Sequence, residues 1–141
     1  MVLLDTNACI HFMKNSHPKL TEKILSCDPS EIAVSVITVY ELEYGACKSN
    51  WGEKTRHNMA LFLAPLTILS FSTDDAVAAG RIRSYLEKKG MMIGPYDLLI
   101  AAQGLSRNLT VIYHARFYLP HKKTIGLADM ASRIFLHRQI K

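Results

Sequence analysis

Cysteine is scarce and unpatterned in this sequence: Cys9, Cys27 and Cys47 are the three present, and none stands in a C-x-x-C pair. An odd count without close pairs excludes a disulfide framework and a thiolate zinc cage, and it points to a reducing compartment. Each is therefore read as a small buried apolar residue. Long hydrophobic runs are missing too. The longest, around 32–39 and 98–102, fall short of the roughly 20 residues that cross a bilayer. The start, Met1 to Asp5, has no basic stretch ahead of its apolar residues, so it does not read as a signal peptide. There is no repeat and no low-complexity segment. These absences leave a soluble, cytoplasmic protein without a membrane partner as the expectation. A length of 141 residues with 49% apolar residues suits a single domain, 1–141, with one core.

An excess of one charge is also absent from most of the chain. The formal net charge is +5, which alone would suggest an anionic partner. Residues 1–113, however, carry 11 basic and 11 acidic side chains. Residues 114–141 carry six basic residues (Arg116, Lys122, Lys123, Arg133, Arg138, Lys141) against Asp129 alone, so the whole excess lies in this atypical basic C-terminal segment.

What is present is an alternation of short apolar runs and helical patterns. Strands are predicted at 2–5, 32–36, 67–71 and 110–113, from β-branched and apolar runs bounded by turn and capping residues. Helices are predicted at 8–14, 18–27, 38–48, 53–63, 73–89 and 95–106. In 18–27 the expected apolar face is Leu20, Ile24 and Leu25; in 38–48 it is Val39, Leu42 and Ala46. The 73–89 helix has Asp74 and Asp75 in its first turn, Lys88 and Lys89 in its last, and Gly90 beyond, as the helix dipole and a left-handed cap prefer. Buried strands alternating with helices predict an α/β fold with a central parallel sheet of four or five strands flanked by helices.

In such sheets, sites form beyond the carboxyl ends of the strands. Asp5 ends the first strand, Glu41 follows the second by about a helical turn, and Asp97 opens the helix before the fourth. Each acid has a structural competitor for its role. Asp5 could cap the helix after it. Thr38 to Glu41 fits a capping box in which Glu41 reaches back to the Thr38 N–H. Asp97 suits a helix N-terminus. Asp5 is the hardest to explain away, because a carboxylate buried at the end of an apolar strand is costly without a cation. Carboxylates without histidine or cysteine ligands suit a hard ion such as Mg²⁺ or Mn²⁺. Such an ion activates water and neutralises charge on a phosphate.

Three blocks carry a family likeness: Leu4-Asp5-Thr6-Asn7, the run from Ser35 to Gly45 with Glu41 at its centre, and the run from Ile93 to Ala102 with Asp97. In this order and spacing the chain, up to about Val111, resembles the PIN-domain ribonuclease toxins of the VapC type. The resemblance implies a PIN fold and an Mg²⁺- or Mn²⁺-dependent endoribonuclease acting on transfer or ribosomal RNA. It implies a type II toxin–antitoxin pair with a VapB-type antitoxin, and a homodimer. Asp5, Glu41 and Asp97 match the family's metal-binding, catalytic acids. Thr6 and Asn7 stand where they could orient the first of them.

The likeness ends after the fourth strand. Members usually continue there with a Thr-Asn-Asn or Thr-Asn-Asp segment that supplies a fourth polar group. Here the chain reads Val111-Ile112-Tyr113-His114-Ala115-Arg116-Phe117-Tyr118, without Asp, Glu or Asn. A shifted reading frame is one origin for such an ending. His114 could stand in for the fourth group, but a solvent-facing histidine after a strand fits better. Arg81 and Arg83 could meet phosphate, but a solvated helix face fits them better. Residues 126–139 could form a helix with Leu127, Met130, Ile134 and Phe135 on one face. Phe12, Tyr44 and Trp51 read as core or interface residues before base-stacking platforms. The alternative to a working enzyme is a catalytically weakened PIN-fold protein that binds antitoxin or RNA. A phosphomonoesterase is disfavoured, because the first motif is Asp-Thr-Asn and not Asp-x-Asp.

Overall fold

The computed structural model describes residues 1–50 and 52–113, and the backbone of a strand at 116–118. The predicted Trp51 contact, His114 and the 126–139 helix lie outside the described residues. Strand β1 (Val2–Leu4) leads into helices α1 (Thr6–Met13) and α2 (Pro18–Leu25). A 3-10 turn (Pro29–Glu31) and β2 (Ile32–Ser35) follow, then α3 (Val36–Lys48), α4 (Gly52–Leu63) and β3 (Thr67–Leu69). The chain continues with α5 (Thr73–Lys89), α6 (Pro95–Ser106), β4 (Thr110–Tyr113) and β5 (Arg116–Tyr118). The sheet order is β3-β2-β1-β4-β5. The first four strands in that order pair in parallel, and β5 adds an antiparallel edge to β4. The expected parallel sheet therefore holds for β1–β4.

The period of two along each strand divides the core. Leu4, Val34 and Ile112 are register partners and pack against Ala8, Cys9, Leu20, Ile24, Leu42 and Met59 from α1 to α4. Their neighbours Leu3, Ala33 and Val111 point the other way, onto Ile100 of α6. Each fully buried Leu or Ile in these layers contributes about 1.5–3 kcal/mol. Gly104 is required where α6 lies on the sheet, because a Cβ there would overlap Val111 Cγ2.

Three expectations are corrected. Leu25 does not share the buried face of α2: it is 70% exposed, while Leu20 and Ile24 are buried. It stands about 100° around the helix from Ile24, which takes it off the face. Cys47 is not a buried hydrophobe but exposed, with Arg56 Nη2 3.0 Å from its Sγ. Cys27 is half-buried, which leaves Cys9 as the one cysteine fully inside. Phe12 packs on Phe62, with ring centroids 5.3 Å apart, as a core residue should.

One buried charge locks α5, α6 and the end of β3 together. Asp75 completes a capping box with Ser72 at the start of α5. It also accepts from Ser106 Oγ and from Arg107, whose Nη2 is 2.7 Å away. Arg107 Nη2 also reaches the Ser70 carbonyl, and so does Gln103 Nε2. Burial alone would raise the Asp75 pKa, but the hydrogen bonds from Arg107, Ser106 and Ser72 outweigh it and hold the carboxyl well below its usual range. A depressed folded pKa gives stability that is complete above the unfolded value, about 4, and is lost as pH falls below it. Asp75→Asn should cost about 2–4 kcal/mol in urea unfolding at pH 7. The gap between the two proteins should narrow as the titration is repeated below about pH 4. An unchanged gap at low pH would show that the charge is not what matters.

The thiols give a second check. Burial, and then the Asp5 charge, push the Cys9 pKa well above its ordinary value. In the native protein, Ellman's reagent should label Cys47 first and Cys9 only on unfolding. Rapid native labelling of a Cys47→Ser, Cys27→Ser protein would contradict this packing of α1.

Candidate active site

The strand order reverses beside β1. The chain leaves β1 for β2 on one flank, and β4 lies on the other. A crevice beyond the carboxyl ends of two such strands is where an open α/β sheet receives ligands. Asp5 stands at that point. Its N–H donates to the Ile112 carbonyl at 3.0 Å, extending the β1–β4 pairing by one residue. Its side chain turns into the next helix, where Oδ1 accepts the Ala8 N–H at 2.6 Å and caps α1. The residue is 1% exposed. So deep a carboxylate is costly, and the cap and the positive end of α1 offset part of that cost. The capping reading of Asp5 is thus correct, and it leaves the burial of the charge as a separate fact.

Glu41 approaches the start of α1 from α3. The predicted Thr38–Glu41 capping box does not form, because α3 begins at Val36 and its cap is Ser35. Ser35 is the last residue of β2 and is fully buried, so its hydroxyl must be satisfied locally; it accepts the Ile37 N–H at 3.1 Å. Thr38 is drawn inside the helix, where its hydroxyl is buried without a hydrogen-bond partner among the described residues. Glu41 lies one turn beyond the first, and its Oε2 accepts from Thr6 Oγ1. Thr6, expected beside Asp5, donates its hydroxyl to Glu41 and so ties the start of α1 to α3.

Asp97 is the third residue of α6. The cap, Gly94, offers no side chain to the exposed N–H groups, so an acid in the first turn has the helix dipole to meet. The residue before each of the later acids joins their helices: the Tyr40 and Tyr96 hydroxyls are 3.2 Å apart, and their rings meet edge-on at 5.3 Å. The Tyr96 hydroxyl raises the Tyr40 phenol above its usual pKa. Spacing and composition give these two tyrosines no role. The signal that could have found them is their position immediately before Glu41 and Asp97.

The other candidates lie elsewhere. Arg81 and Arg83 are exposed on α5, and Arg83 pairs with Glu87 at 2.8 Å, as a solvated face should. Glu43 is held by Arg56 at 2.7 Å, an exposed pair of small energetic weight. No helix among the described residues is long and apolar enough to cross a membrane.

Among the described residues no three His, Cys, Asp or Glu side chains are gathered closely enough to close a ligand shell around a metal ion. The hydrogen bonds explain part of this, since Asp5 is directed to the Ala8 N–H and Glu41 to Thr6. The donor set still fits a hard cation. It is all oxygen, one member is buried, and Mg²⁺ retains several waters and needs only one or two carboxylates directly.

Comparison with known proteins agrees with this architecture. The PIN domain family matches residues 2–115. The tRNA(fMet)-specific endonuclease VapC of Salmonella typhimurium is 38% identical over 110 residues, covering 78% of this chain and 83% of that protein. Ribonuclease VapC2 of Rickettsia felis is 37% identical over 112 residues, with the same coverage. The solved structure of VapBC2 from Rickettsia felis, bound to a DNA fragment from their promoter, aligns with a TM-score of 0.74 and 33% identity. That alignment covers 80% of this chain and 86% of the other. DNA-bound VapBC from Salmonella typhimurium aligns with a TM-score of 0.73, covering 78% and 83%. A continuous match over most of the chain, in sequence and in fold alike, makes this chain a member of the PIN-domain family.

Proposed function

We propose that this chain is the toxin of a type II toxin–antitoxin pair, a metal-dependent endoribonuclease that hydrolyses phosphodiester bonds of transfer or ribosomal RNA. Asp5, Glu41 and Asp97 would hold Mg²⁺ or Mn²⁺. The observation that carries this reading is the buried Asp5 carboxylate at the β1/β4 reversal, with Glu41 bonded to the next residue along the chain, Thr6. Asp5 Oδ1 is held by the Ala8 N–H, and the carboxylate has a second oxygen to offer a cation. Thr6 acts through Glu41, which makes it a positioning residue. The ion, when bound, supplies charge for the phosphate and acidity for a water.

The relatives named as ribonucleases support the reaction, and those crystallised as VapBC complexes support a VapB-type antitoxin as partner. A homodimer, a cytoplasmic setting and a single domain over 1–141, with 114–141 as its basic extension, belong to the same proposal. The family match ends at residue 115, which favours one second reading: a PIN-fold protein that binds antitoxin or RNA and cuts weakly.

Asp5→Asn separates charge from cap, since Asn caps a helix as well as Asp. The full chain with Mn²⁺ or Mg²⁺ should cut end-labelled RNA. The variant should keep its circular dichroism and lose more than about 100-fold in rate, the upper end of what outer-shell changes cost. Equal cutting by both proteins would overturn the site. Antitoxin binding by a wild-type chain that does not cut would favour the second reading.

A further inference from the structure

Tyr40, Tyr44 and Lys48 recur every four residues along one face of α3, and core packing does not account for them. Tyr40 is 50% exposed and Tyr44 is 55% exposed, which removes the core half of the core-or-interface reading of Tyr44. Their rings are nearly parallel, at 17°, with centroids 6.4 Å apart. Tyr96, 39% exposed, closes the near end of the row against Tyr40. At the far end the Lys48 ammonium lies 5.1 Å from the Tyr44 ring centroid and 3.3 Å from its hydroxyl. We infer that this row is a stacking platform for the bases of single-stranded RNA leading to the acid site, an inference that rests on the proposed nuclease function.

Three features select RNA as the occupant. Exposed aromatic planes with a cation at the rim are what sequence-tolerant single-strand sites use: every base has a face to stack, and the ammonium meets the backbone. The row also begins at Tyr40 and Tyr96, the chain neighbours of Glu41 and Asp97, so a strand lying along it runs towards the helix turns that carry those acids. Finally, the neighbouring Glu43 is paired with Arg56 from α4, which counters an acid that would otherwise repel phosphate near the middle of the row. The hydroxyl contact between Tyr40 and Tyr96 holds the near rings in place before a base arrives, which lowers the entropy cost of stacking.

The test uses the full chain and an eight-nucleotide single-stranded RNA carrying 2-aminopurine, with EDTA present so that nothing is cut. Stacking should quench the probe. Tyr44→Ala should weaken binding by about 5- to 100-fold and remove most of the quenching, while Tyr44→Phe stays within about twofold. Lys48→Ala should lower the slope of log affinity against log salt by about 0.7, one phosphate contact on a single strand. Parent-like affinity and quenching in both Tyr40→Ala and Tyr44→Ala would overturn the platform. So would loss of self-association in sedimentation with RNA affinity unchanged, since the row would then face a second copy of the chain. A chain that binds and quenches but never cuts when metal is restored leaves the platform standing and removes the nuclease reading. A chain that cuts, with tyrosine variants indistinguishable from the parent, does the reverse.

Discussion

A negative charge placed almost wholly out of water at the end of β1 governs the arrangement around it. Asp5 extends the β1–β4 pairing through its backbone and starts α1 through its side chain. Those two roles fix where the chain turns and which way α1 leaves the sheet. They also fix a carboxylate at the place where the strand order reverses. A neutral cap such as serine would start the helix at less desolvation cost. The charge is what serine could not supply, and it is the charge that the proposed cation site would use.

The rest of the fold holds that point still. One face of the sheet is covered by α1 to α4 and the other by α5 with α6, where Ile37 from the first turn of α3 also packs. The second pair is anchored by Asp75 and Arg107, a pair with one member fully buried and the other partly open. Removing one partner of such a pair costs far more than the pair contributes, so it specifies the docking of α5 on α6. Because Asp97 opens α6, the position of that acid depends on an ion pair at the far end of the same helix. Across the site, the Thr6–Glu41 and Tyr40–Tyr96 contacts join α3 to α1 and to α6.

Much of this fold is legible in the amino-acid sequence. The helices 73–89 and 95–106 and the strand 110–113 have the expected bounds, because apolar periodicity, Pro95 and Gly90 mark them without competition. The start of α3 is not legible in the same way, because Thr38 and Glu41 satisfy a local rule that Ser35 satisfies earlier in the chain. Local pattern cannot rank two capping hydroxyls; burial at the end of β2 does. Thr6 stands out by its place beside Asp5, yet its partner is Glu41, and a contact across 35 residues leaves no trace in spacing. The tyrosine row is hidden for a related reason. Aromatic residues at helical spacing look the same whether they face the core or water, and only the packing of α6 against α3 decides. Asp5 and Asp97 are marked by their places at a strand end and in the first turn of a helix, whereas Glu41 stands inside α3.

Whether these acids hold a divalent ion at the β1/β4 reversal is open to direct observation by anomalous diffraction from crystals of the full chain grown with Mn²⁺. A manganese peak should stand beside the Asp5 carboxylate, with Glu41 and Asp97 reaching it directly or through one water. A data set at saturating Mn²⁺ with no peak at Asp5, or with its strongest peak on other residues, would refute the site.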